Sequence, residues 1–203
     1  MALDSKNPKI DFIRMALTLF VITALVAVAL AAANYATAPI IEQSAKERLD
    51  DSLKTLIAEA STFEEAEEFE KSISFGETKV PVEAIYIAKD ASDTHLGYCV
   101  RVTPNGYSDV IDMLVAIDKE GAVSGVQILS IADTPGIGMK VESDETFRKS
   151  LIGKNELVTA VKTAPDAGEV QVISGATVSS TAYINGVNAA IEAVQKLEQE
   201  AAK

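Results

Sequence analysis

The sequence predicts an α+β domain set behind a single N-terminal transmembrane helix and a helical connector. Three observations carry that prediction. No charged residue occurs from Met15 to Ile41, and at a rise of about 1.5 Å per residue such a run is long enough for a hydrocarbon core roughly 30 Å thick. From Val82 onward the chain breaks into short alternating runs bounded by Asn, Asp, Gly and Pro, the pattern of antiparallel strands. Near the C-terminus Ile184, Val187, Ile191 and Val194 recur at helical spacing, which puts them on one face of a closing helix.

The elements follow in order. Residues 1–14 are expected to form a cytoplasmic tail, 15–38 the transmembrane helix, 39–80 an acidic helical connector and 81–203 the folded domain. Lys6, Lys9 and Arg14 crowd the tail, so the positive-inside tendency keeps the N-terminus cytoplasmic and sends the acidic domain to the outer side of the cell (inner) membrane, with the lipid bilayer as a partner. Ala36-Thr37-Ala38 has the small-x-small form of a cleavage site. Pro39 follows it directly, however, and the apolar run exceeds the roughly 7 to 15 residues of a signal-peptide core, so an uncleaved anchor is expected.

Beyond the span, Leu49, Leu53, Leu56, Ile57 and Ala60 recur every three or four residues in an acidic segment, which predicts an amphipathic helix. Ser61 or Thr62, with Glu65 three beyond Thr62, resembles a capping box, restarting a second short helix through Glu70. Four strands are expected at Glu83 to Ala88, Tyr98 to Thr103, Val110 to Ile117 and Val123 to Ser130, folded back by turns at Pro104-Asn105-Gly106 and Asp118-Lys119-Glu120-Gly121. A helix near Ser143 to Lys149 and strands at Leu157 to Thr163 and Glu169 to Ile173 precede the final helix.

Composition removes several classes of function. The formal charge is -12 over 203 residues, with no Lys and Arg cluster to meet a phosphate backbone, so no nucleic-acid partner is expected. Cys99 is the single cysteine and His95 the single histidine. That excludes a disulfide framework, cysteine-ligated iron-sulfur or zinc sites and His-pair metal sites within the chain, and no metal residue is assigned. Cys99 is expected inside a strand, and His95 on the surface of a loop.

Two Gly-containing segments stand out. In Asp133-Thr134-Pro135-Gly136-Ile137-Gly138-Met139, Pro135 fixes one backbone angle while the glycines accept conformations that other residues resist. Ser174-Gly175-Ala176-Thr177-Val178-Ser179-Ser180 lies between a strand and the last helix. A helix start offers unpaired N–H groups and partial positive charge to a phosphate, yet Ser, Thr and Gly also serve as ordinary caps, so the turn by itself is compatible with both roles. Neither segment has the glycine spacing of a dinucleotide fingerprint or the Lys of a P-loop.

Taken in this order behind one span, Gly97-Tyr98, Asn105-Gly106-Tyr107, the Asp133 segment, Phe147 with Gly153-Lys154, and Ser174-Gly175-Ala176-Thr177 resemble the FMN-binding G subunit of the Rnf electron-transport complex. The related C subunit of the sodium-pumping NADH:quinone reductase is similar too. Asp133 stands where that family usually has Glu, and Gln171 where it often has an acidic residue. The resemblance implies an antiparallel-sheet FMN-binding domain and an electron-carrier role in an ion-translocating ferredoxin:NAD oxidoreductase, with other membrane and peripheral subunits as partners and no complete active site in this chain alone. It also implies FMN joined to Thr177 through a phosphoester, installed by a flavin transferase from FAD. Ser174, Gly175, Ala176, Val178, Ser179 and Ser180 would then surround the phosphate, and Thr134, Pro135, Gly136, Ile137, Gly138 and Met139 would line the ring or ribityl chain. An envelope-anchored binding or assembly module without redox function is the alternative from a different class.

Overall fold

Ala, Leu, Val and Ile crowd the N-terminal quarter of the chain and fold into one long helix, α1 (Pro8–Leu56). The computed structural model describes residues 8–133, 136 and 138–201. Among these residues α1 is the helix long and apolar enough to cross a membrane. Three threonines of its apolar stretch bond back to the helix itself. The hydroxyls of Thr18, Thr23 and Thr37 donate to the carbonyls of Arg14, Leu19 and Ala33 at 2.8, 3.0 and 2.9 Å, which removes the cost of an unpaired hydroxyl in hydrocarbon. Pro39 lies within the helix and supplies no N–H to the carbonyl four residues earlier.

The chain divides into two compact units, with the boundary between Glu47 and Arg48. The second unit is an antiparallel sheet with helices. Its strands are β1 (Thr62–Glu65), β2 (Ser72–Phe75), β3 (Thr78–Lys89), β4 (His95–Val102), β5 (Ile111–Asp118) and β6 (Val123–Ile131), ordered β1-β3-β4-β5-β6 with β2 also on β3. β3 to β6 form the expected meander, each strand antiparallel to the next. Two short helices follow, α2 (Lys140–Ser143) and α3 (Glu145–Lys149). The Asp144 side chain caps α3 by accepting from the Phe147 N–H at 3.0 Å. β7 (Thr159–Val161) and β8 (Glu169–Gln171) are three residues each and pair in parallel, and α4 (Thr177–Ala201) closes the chain.

Three expectations are corrected here. The amphipathic helix ends at Leu56, and the helix expected from Thr62 to Glu70 does not form: Thr62 to Glu65 pair with Tyr86 to Lys89 as an edge strand. The edge of β3 offers backbone partners that a short isolated helix lacks, and Thr and Phe favour a pleated strand. Glu64, rather than standing in a helix turn, pairs with Lys89 Nζ at 2.7 Å. His95 is not a loop residue on the surface; it opens β4, half-buried, with its ring 4.5 Å from that of Tyr98.

Strand alternation explains why the sheet is covered on both faces. On one face Val100, Val102, Met113, Val115 and Ile117 pack with Ile184, Val187, Ile191 and Val194 of α4, the four positions whose spacing identifies that helix. On the other face Cys99, Leu114 and Ala116 pack beneath Leu53, with Leu49, Leu56, Ile57 and Phe63 around them. β5 therefore presents buried side chains in both directions, and its sequence, Met113 to Ile117, is an unbroken apolar run.

Burial pushes the Cys99 thiol from its ordinary 9.0 up to about 12, and the Tyr183 phenol from 10.0 up to about 12. In each case the unfolded chain releases its proton first, so unfolding is favoured as the pH rises from the ordinary value toward the folded one. Urea midpoints are expected to fall as the pH rises from 9.0 to about 12. Cys99→Ala should make that fall shallower.

Candidate functional site

The strand-to-helix turn is built by its own residues. Gly175 sits at φ +84, a backbone state that L side chains rarely adopt. The chain then closes through an Ala176 N–H to Ile173 carbonyl bond of 2.9 Å and enters α4 at Thr177. A helix leaves its leading N–H groups without intrahelical partners. Here these belong to Thr177, Val178 and Ser179, whereas the Ser180 N–H already donates to the Ala176 carbonyl at 2.8 Å. No acidic residue belongs to this first turn, so the positive end of a helix of 25 residues carries no acid of its own.

A buried carboxyl group ties this turn to two loops. Asp133 is 5% exposed. Its Oδ1 accepts from the Ser108 N–H at 3.0 Å, while Oδ2 accepts from the Tyr107 N–H at 3.3 Å and from the Ser179 hydroxyl at 2.5 Å. Gly138 wraps so closely around it that an added Cβ would lie 2.5 Å from Asp133 Cγ. Gly138→Ala is therefore expected to displace the carboxyl group and to destabilise the domain by about 1–3 kcal/mol, the usual range for overpacking, read as a lower urea midpoint.

Two clefts flank Thr177. The first, of about 460 Å³, is lined by Tyr107, Gly138, Gly175, Ala176, Thr177, Val178 and Ser179. The second, of about 520 Å³, also borders Ser174, Gly175 and Thr177, and reaches Phe147 of α3, Lys162 and Gln171. The structure thus brings Ser174 to Ser179 and Gly138 together around one threonine. Ser180 is turned inward instead, fully buried, with its hydroxyl accepting from the Ile173 N–H at 3.1 Å. Gly136 is exposed, and Met139 is half-buried at the start of α2. Thr134, Pro135 and Ile137, also expected along the flavin, lie outside the described residues.

Sequence reasoning misses the part played by Asp133, which in its own segment reads only as a loop residue. The signal that marks it is spatial: its neighbours Gly106 and Gly138 both lack a Cβ where the carboxyl group approaches.

Residues 106–192 match the FMN-binding domain family. That segment begins at the Tyr107 loop, takes in the Asp133 segment and Thr177, and ends within α4. Fold, cleft and matched segment define the class: a protein with an apolar N-terminal helix and an FMN-binding domain. The chain belongs to the family of G subunits of ion-translocating ferredoxin:NAD(+) oxidoreductase complexes, the Rnf family. It is 34% identical over 195 residues to the G subunit of the Na(+)-translocating ferredoxin:NAD(+) oxidoreductase complex of Acetobacterium woodii, covering 92% of this chain and 93% of that one. It is 28% identical over 165 residues to the G subunit of the proton-translocating ferredoxin:NAD(+) oxidoreductase complex of Clostridium ljungdahlii, covering 81% and 82%. Among solved structures, Shewanella oneidensis NqrC is similar over 66% of each chain, with a TM-score of 0.43 and 17% identity.

Proposed function

We propose that the chain is a membrane-anchored electron-carrier subunit of an ion-translocating ferredoxin:NAD oxidoreductase complex, with FMN joined to Thr177 through a phosphoester. The observation that carries this reading is the position of the Thr177 hydroxyl at the first residue of α4, on the rim of both clefts.

The residues fit such a group. A phosphodiester keeps a negative charge, and the N–H groups of Thr177, Val178 and Ser179 point from the positive end of α4 with no acid in the first turn. Gly175 meets no atom within 4 Å where a Cβ would stand, so the backbone leaves room for the phosphate. When bound, FMN supplies the redox chemistry, accepting and releasing electrons. The chain holds and orients it: the phosphate end at the α4 turn, and the rest in the cleft between Tyr107, Gly138 and Val178.

The same reading gives the chain its surroundings. α1 anchors it in the bilayer with the N-terminus cytoplasmic and the FMN-binding domain on the outer side. The other subunits of the complex are its electron-transfer partners, and a flavin transferase is needed for maturation. Mass spectrometry tests the central point. The chain coexpressed with a flavin transferase, digested after denaturation, should yield an FMN-bearing peptide that contains Thr177; FMN that washes away on denaturation would overturn covalent attachment.

A further inference from the structure

We propose that Tyr107 is the aromatic platform for the isoalloxazine ring of the flavin carried at Thr177, and that Asp133 is the positioning residue that holds Tyr107 in place. The proposal rests on the reading above and adds to it a role for two residues in seating the ring.

Tyr107 is 70% exposed, so most of its ring is open to contact by a ligand, and a planar ring prefers an offset-stacked or edge-on aromatic neighbour. It lines the 460 Å³ cleft together with Thr177 and with Val178, itself 50% exposed. Tyr107 and Val178 are the two large apolar residues of a lining that otherwise consists of glycine, alanine and hydroxyl-bearing residues. A planar, largely apolar ring tethered at Thr177 has the complementary chemistry.

The backbone beneath Tyr107 is held to α4. The Gly106 N–H donates to the Asp109 carbonyl at 2.9 Å and the Ile111 N–H to the Pro104 carbonyl at 2.9 Å, which closes the loop on itself. Asp133 then takes the Tyr107 and Ser108 N–H groups on one side and the Ser179 hydroxyl on the other. One buried carboxyl group therefore sets the distance between the tyrosine loop and the first turn of the acceptor helix. A platform fixed in advance avoids the entropy loss of ordering a free loop around the ligand. An added Cβ at Gly106 would lie 2.6 Å from the Asp109 carbonyl oxygen and 3.2 Å from Asp133 Oδ2, so the loop has little space in which to shift.

The test uses the full chain, flavinylated in cells and purified in detergent, and reads flavin emission per covalently bound FMN. A phenol stacked on a flavin quenches emission by donating an electron to the excited ring. Tyr107→Leu should brighten the bound flavin severalfold. Asp133→Asn, which replaces one acceptor oxygen with a donor, should brighten it in the same direction by a smaller factor, and Ser179→Ala provides the milder disturbance if Asp133→Asn does not fold. Unchanged emission in Tyr107→Leu overturns the platform. A bright Tyr107→Leu beside wild-type emission in the folded Asp133→Asn, or in Ser179→Ala where that variant is used, overturns the positioning role. A wild-type chain whose mass carries no FMN is a failure of the underlying reading, seen before any emission is measured, and the proposal falls with it.

Discussion

Thr177→Val is expected to abolish covalent flavin completely while leaving the domain folded. Valine keeps the branched shape of threonine at the first position of α4 and removes only the hydroxyl that would form the phosphoester. The side chain is half-buried on the rim of two clefts rather than in the core, so the fold should tolerate the change. Thr177→Ser, which retains a hydroxyl, should keep part of the flavin. The measurement is flavin fluorescence of the denatured band together with the mass of the chain. Fluorescence of the Thr177→Val band equal to the wild type would place the acceptor elsewhere.

Tyr183→Ala should produce the largest loss of stability. Tyr183 is 0% exposed in α4 and meets Phe147 of α3 edge-on at 5.4 Å, so its removal leaves a cavity under the helix that begins at Thr177. Truncating a buried aromatic costs about 3–5 kcal/mol, against a total of roughly 5–15 kcal/mol for a typical domain. A urea melt should show a large drop in midpoint, with a smaller drop for Tyr183→Leu, which keeps most of the volume. A Tyr183→Ala midpoint close to wild type would mean that the packing between α3 and α4 contributes little.

The parts of the fold legible in the sequence are those with an uninterrupted period. The β3–β6 meander follows from two-residue alternation and the turn residues, and α4 follows from Ile184, Val187, Ile191 and Val194. The failures are local signals overruled by a distant partner. Thr62 and Glu65 satisfy the pattern of a helix cap, but the free edge of β3 captures their backbone instead. His95 has the neighbours of a loop residue, Asp93 and Thr94, yet register with Lys89 makes it the first residue of a strand. At the candidate site, Thr177 is singled out by the family resemblance, because its own segment suits a plain helix cap as well as a phosphate. The carboxyl group that joins three segments is not, because Ser179 and Asp133 are 46 positions apart and nothing local to either marks the other.

The helix turns from Arg48 to Leu56 belong to the second compact unit and lie over the outer face of the sheet. The anchor therefore cannot be trimmed at its visible end without penalty. A water-soluble fragment beginning at Thr62 would expose the apolar strip of Cys99, Leu114 and Ala116, all 0% exposed in the intact chain, and would self-associate through it. A fragment beginning at Arg48 keeps its own cover and should remain monomeric.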